Sequence, residues 1–463
     1  MQEKINADGT IEGVEYIGNN AFRECSNLTT VQMANSVIEA GEYTFYNDPK
    51  LKNINISKSI KTIGMGTYGL ASLVNIEIPE GVEKIEYNAF YSCKNLKTIK
   101  LPSTLKTIDG TAFANCPKLS NIEIPESNKN FEFKNGILLG KLEDDKREMT
   151  IILESAIKGN TLTVPDKVVS LKSGQIDAFT QIATVKIPAS VIDISASFFQ
   201  SNITNIEIDD ANPKYEVVNN AIYTKESYSE EIEIVRYFGN ESTVKIKDRT
   251  KIIKEYCFRD KTNMTKVELP NSLEKIGSQA FNECRNLKSI KLGANVNSFN
   301  GMSIYSSGIE EIEIDENNNN FRVIEDGGVC NGEKTPALYN KEGNVFISPI
   351  KPLGTIQTYE IPEKVKVEEK EITVIEIISY AFHNQYNMTN IQLPNKIEKI
   401  GAIFAFCSGL TKIEIPSSIE EINTLCFENA NNLKEIRIHK KRGEVEGDPW
   451  GCIYGDKAII WDE

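Results

Sequence analysis

Apolar and polar positions alternate along this chain in short bursts, and the bursts return at a fixed interval. Between Leu73 and Cys116, LVNIEIPEGVEKIEYNAFYSC is followed by NLKTIKLPSTLKTIDGTAFANC, with matched positions 23 residues apart. Each unit carries L-x-x-I-x-[IL], an alternation that predicts a short strand with one buried face. A Pro often closes it (Pro79, Pro102, Pro125, Pro188, Pro270, Pro394, Pro416), because Pro offers no N–H to a ladder. A second burst, as in Val82–Ile85, predicts a second strand. An Ala-Phe pair then predicts a turn whose Phe fills the interior, with short helical turns near it. Such a period is the signature of a solenoid, whose coils bury their apolar sides only against one another. Helical runs with a 3.6-residue period are absent. The expected class is a β-rich solenoid with two short strands per unit.

The position of Leu73 recurs as Leu28, Leu51, Leu96 and Leu119, then Ile182 and Ile203, then Met264, Leu287 and Ile309, then Met388, Leu410 and Leu433. Steps of 21 to 23 residues are broken by jumps from 119 to 182, 203 to 264 and 309 to 388. The jumps define three insertions, at about 127–168, 211–250 and 316–365. Each opens on Asn-rich text and an aromatic, followed by two strand signals around a polar turn, a β-hairpin pattern. The hairpins are expected to protrude from the coil or to be appended to it. After Ile438 the text changes, and residues 439–463, with Trp450 and Trp461, read as a terminal cap whose aromatics cover the last coil. Residues 1–438 read as one continuous solenoid.

A net charge of −14 argues against nucleic acid and anionic membrane surfaces as partners, since both require clustered Lys and Arg. No run of about 18 apolar residues occurs, so no helical membrane insertion is expected. Of nine cysteines, five (Cys25, Cys93, Cys116, Cys284, Cys407) share one repeat position, which reads as buried free thiols. An inter-coil disulfide such as Cys93–Cys116 is the alternative. The first repeat text, GVEYIGNNAF at residues 13–22, is the second half of a unit. A longer, exported protein of which this chain is a piece is therefore expected.

The text NLKTIKLPSTLKTIDGTAFANC (95–116) resembles the BspA-like leucine-rich repeat family, type 5. The resemblance covers essentially the whole chain, including insertions of the form N-x-x-[FY]. It implies a right-handed leucine-rich-repeat coil. It also implies a non-catalytic adhesion module, at the cell surface or secreted, that binds protein or glycan ligands of a host or neighbouring cell. A structural spacer, or a cytoplasmic scaffold within a longer protein, is the alternative.

Little in the residues suggests chemistry. There are two histidines, His383 and His439, neither with a nucleophile in its sequence context, and no nucleophile-elbow or phosphate-loop motif occurs. His383, beside the corner Phe382, reads as a solvated residue. No enzymatic activity, metal site or cofactor is expected, and a monomer is. Down the first strand the outward position reads Gln32, Asn55, Glu77, Lys100, Glu123, Lys186 and Glu207, continuing in the same polar vein. That predicts a charge ladder without the aromatic anchors of a tight protein interface. Recognition is therefore expected in the insertions, with Phe131, Tyr215, Tyr228, Phe321 and Tyr339 as candidate ligand contacts.

Overall fold

The computed structural model describes residues 4–5, 11–172, 176, 179–299, 301–340, 345–350, 355–367, 370–446 and 458–462. Side chains are described from residue 13 onward. The chain divides into two compact units, Met1–Val217 and Val218–Glu463. Both are strand-rich solenoids of stacked coils.

In the first unit the strands Asn75–Glu77, Thr98–Lys100 and Asn121–Glu123 pair in parallel with a 23-residue register, Ile99 lying opposite both Ile76 and Ile122. Their middle residues are buried and their flanks mostly exposed, the alternation that the sequence predicts. The second strands stack likewise, with Ile85 opposite Ile63 and Ile108. Between strands, the Pro carbonyl closes a turn by accepting the N–H three residues on, as Pro79 does from Val82 and Pro102 from Leu105.

The corner around the Phe is a third ladder. The residues two before and two after the Phe lie in the left-handed region, as at Asn88 (φ 55°) and Ser92 (φ 54°) around Phe90. This alternation turns every second N–H toward the next coil. Phe90 N–H donates to Ala112 at 2.7 Å and Ser92 N–H to Ala114 at 2.9 Å. Tyr68 and Leu70 N–H donate to Ala89 and Tyr91 one coil earlier. The rings form a spine, Phe22–Phe45–Tyr68–Phe90–Phe113, with centroids 4.8–5.7 Å apart. In the second unit Phe258–Phe281 and Phe404–Phe427 repeat the stack. A repeated cysteine closes several of the coils. Cys93, Cys116, Cys284 and Cys407 are free thiols, each donating to the corner carbonyl of the preceding coil at 3.0–3.2 Å. The thiol is a small apolar side chain with a weak donor, and it adds a second bond to a carbonyl that already accepts the N–H three residues on, as Phe90 does from Cys93.

The insertions are built into the stack; they do not protrude as separate hairpins. The first is a three-stranded antiparallel sheet, Phe131–Lys134, Ile137–Lys141 and Arg147–Ile152. In the second unit, Ile232–Tyr237 pairs antiparallel with Ala221–Thr224 but parallel with the coil strand Thr250–Ile253. Val345–Pro349 likewise pairs antiparallel with Glu333–Asn340 and parallel with Glu376–Ile377. The last strand of each hairpin thus takes the second-strand place of a coil.

One side chain launches each insertion. Asn128, Asn212 and Asn318 are buried, and each Oδ1 accepts the N–H groups two and three residues ahead. Each Nδ2 reaches back to carbonyls of the preceding turn: Pro102 and Leu105, Pro188 and Val191, Gly293 and Val296. At the C-terminus, Ala458–Trp461 continues the first-strand ladder beside Glu435–Ile438, again 23 residues on, and Trp461 packs half-buried against the core. Trp450 and Cys452 lie outside the described residues.

Candidate interaction surfaces

The outward residues of the first strands form ion pairs between coils. Lys100 Nζ lies 2.8 Å from Glu77, Lys186 2.7 Å from Glu207 and Lys291 3.9 Å from Glu313. A second stripe on the second strands pairs Lys106 with Glu83 at 2.6 Å and Lys399 with Glu421 at 3.5 Å. The partner ammonium holds Glu83 below the usual carboxylate range, and Glu77 raises Lys100. These groups satisfy one another in solvent, so this face holds register and offers charge without an apolar anchor.

The insertion aromatics are core residues. Phe131, Tyr215, Phe321 and Tyr339 are only 1–6% exposed, which removes them as ligand contacts. Phe131 and Tyr215 take N–H caps from Asn128 and Asn212, which point their rings inward. Tyr339 donates its hydroxyl to the Gly327 carbonyl at 2.7 Å and packs edge-on against Phe346. The hairpin strands join the coil ladder, so their inner faces extend the coil core. Of the five candidates, Tyr228 alone is on the surface, 49% exposed.

Exposed aromatics concentrate instead at the corners. In the second unit, His383 sits among the rings of Tyr305, Tyr380 and Phe406, at centroid distances of 5.5, 5.6 and 5.2 Å. Tyr380 and Phe406 are 37% and 41% exposed, and Tyr386 and Leu425 on the same edge are also exposed. His383 is not solvated as its position suggested. It is half-buried, its Nδ1 is buried without a partner, and burial pushes its pKa down to about 4. The imidazole is therefore neutral near pH 7 and acts as a flat, weakly polar floor for the cluster. Phe406 (φ 61°) holds the left-handed slot two after the ring that Asn47, Ser92, Asn115 and Asn429 fill elsewhere, and Tyr380 (φ 72°) the slot two before it, shared with Asn20, Asn88, Tyr43 and Tyr256. A bulky ring there carries backbone strain that a small polar residue avoids.

In the first unit a cleft of about 600 Å³ opens where the corner ladder gives way to the first insertion. Tyr87, Tyr91, Phe113, Asn115, Ile151 and Leu153 are among the residues that line it. Among the described residues, no group of three or more His, Cys, Asp or Glu is placed to hold a metal ion. No described helix is long and apolar enough to cross a membrane. His439 Nδ1 lies 3.2 Å from Asp462 in an exposed pair.

The sequence model described as the BspA type leucine rich repeat region matches residues 4–119, 63–135, 152–243, 229–325 and 358–448, in six copies. Among solved structures, the chain is 17% identical to a leucine rich cell surface protein from Faecalibacterium prausnitzii, covering 100% of this chain and 87% of that one, with a TM-score of 0.29. A leucine-rich repeat protein from Bacteroides ovatus is also 17% identical, over 100% and 91% of the two chains, with a TM-score of 0.27. One from Eubacterium ventriosum is 16% identical over 77% and 82%, with a TM-score of 0.39. No curated protein matches the sequence.

Proposed function

Since this chain belongs to the BspA-type leucine-rich repeat family, we propose that it is a non-catalytic interaction module that holds a protein or glycan ligand on the aromatic corner of its second unit. The observation that carries this reading is the ring cluster around His383. Tyr380 and Phe406 stay exposed there, at backbone positions that would be less strained with Asn or Gly. Contiguous exposed aromatics are what contact hot spots are made of, and strain tends to persist where function requires the side chain. Aromatic faces also suit the C–H faces of a sugar. The first-strand stripe, by contrast, has its charges already paired.

The module acts at the cell surface or in secreted form, in keeping with the adhesin character that its repeat text implies. Protease shaving of intact source cells tests the location: release of fragments of this chain is expected, and full protection would place it inside. The binding test is a glycan array together with a panel of immobilised extracellular-matrix proteins. Wild type is compared with the double variant Tyr380→Ser/Phe406→Asn. A ligand captured by wild type is expected to be lost at least tenfold in the double variant, with unfolding unimpaired. Undiminished binding by that variant would sink the reading.

A further inference from the structure

The corner ladder has a direction. At Phe22, Phe45, Tyr68, Phe90, Phe258 and Phe404, the N–H groups of the ring residue and of the residue two beyond it point to the next coil, where carbonyls accept them. Phe90 and Ser92 are met in this way by Ala112 and Ala114. At Phe113 the next coil does not follow, because the chain enters the first insertion. The N–H groups of Phe113 and Asn115 have no acceptor among the described residues, and both residues line the 600 Å³ cleft. The N–H two before the Phe, on Thr111, is capped locally by Asp109 Oδ1 at 2.9 Å. Asn423 caps Leu425 N–H in the same way, also at 2.9 Å, beside Phe427 in the second unit. The Asx cap thus satisfies one donor of the ladder end and leaves two, spaced one residue apart and aimed the same way.

We propose that this cleft binds an extended peptide segment of a partner protein, whose alternate main-chain carbonyls accept from Phe113 and Asn115 and so add one more strand to the corner ladder. Two unpaired donors in a partly dry cleft form stronger bonds with a carbonyl than donors in open water. Two such N–H groups, the second on a left-handed residue, Asn115 (φ 58°), would also suit an anion. The surroundings select against one. Glu154 lines the cleft, no Lys or Arg does among the described residues, and the chain carries a charge of −14. A neutral carbonyl meets no such repulsion. Ile151 and Leu153 offer an apolar wall for a side chain of the segment, and Glu154 favours a Lys or Arg beside it. The volume lies within the ordinary range for small ligand sites. Pairing through the main chain, with side chains read by flanking walls, is the logic by which sheet edges capture peptides. This site goes beyond the His383 patch, and neither depends on the other.

The test is selection from a library of end-blocked random octapeptides on wild type and, in parallel, on Ala114→Trp. Ala114 is half-buried on the cleft lining, and its side chain takes no part in the ladder. Expected are peptides that bind wild type and lose at least tenfold on Ala114→Trp. Replacing alternate amides of such a peptide with esters, whose carbonyls accept more weakly, should cost a further severalfold. The amide resonances of Phe113 and Asn115 should shift on binding. Should Ala114→Trp fail to fold, Glu154→Lys serves instead, and selection on it should move from basic to acidic peptides. Three results overturn the proposal: no peptide distinguishes wild type from the variants, ester scanning leaves affinity flat, or millimolar acetate shifts the two amides while no peptide does.

Discussion

Asp48 stands in the slot that cysteine holds in neighbouring coils, and the exchange has a cost. It is buried, its Oδ1 accepts Cys25 N–H at 2.7 Å, and its Oδ2 has no partner. A thiol in this slot donates to the corner carbonyl below it; an ionised carboxylate cannot. Burial therefore pushes the Asp48 pKa up from 3.8 to about 6. The folded state then holds this proton more tightly than the unfolded chain, so its contribution is full below pH 4 and lost as pH rises through 6. Asp48→Cys should gain about 1–3 kcal/mol at pH 7, read from urea unfolding, and the gain should vanish near pH 4. His383 works in the opposite sense. Its pKa is depressed to about 4, so stability is lost as pH falls from about 6.5 toward 4. His383→Phe should flatten that acid limb, and a limb equal to wild type would show that the ring titrates freely.

Among the elements, the insertion joints and the left-handed backbone of the corners did not show in the sequence, for different reasons, although the Ala-Phe pair marked each corner turn. N-x-x-[FY] at Asn128, Asn212 and Asn318 is visible as text, but the carbonyls that each Nδ2 holds lie 21–26 residues back. Only the stacked coil brings them near. Asn318→Asp places a carboxylate against the carbonyls of Gly293 and Val296. It should cost about 2–4 kcal/mol by thermal or urea unfolding, where an Asn on an exposed turn would cost almost nothing. The strands were legible, since the period-2 alternation and the Pro stops map directly onto the ladders. Alternation also paired the insertion aromatics on one face, yet it does not say which face meets the coil, and Phe131, Tyr215, Phe321 and Tyr339 went to the core. The left-handed slots of the corner have no such period, because they hold Asn, Gly and Ser but also Tyr43, Leu70, Tyr256 and Gln279. Exposed rings in those slots were the available signal. Phe406→Asn should therefore raise stability by about 0.5–1 kcal/mol in an unfolding titration while weakening ligand binding.

For the molecule as a whole, charge and apolar surface are kept apart. The strand stripes of each unit carry Lys and Glu paired between coils in solvent, as at Lys100–Glu77 and Lys291–Glu313. Such exposed pairs are each worth only about 0–1 kcal/mol, so screening them should move the unfolding midpoint little between 0.1 M and 1 M NaCl. Apart from Tyr16 on a strand and Tyr228 in an insertion, the large exposed rings lie at or beside corners, where the coil turns and the backbone is least forgiving. That separation is the basis for assigning recognition to the corners and register to the strands. Hydrogen exchange, with and without the ligand that the array or panel identifies, tests this most directly. Protection is predicted over residues 378–386 and 402–408, around His383 and Phe406. Protection confined to the strand face, over 390–392, 412–415 and 435–438, would contradict it.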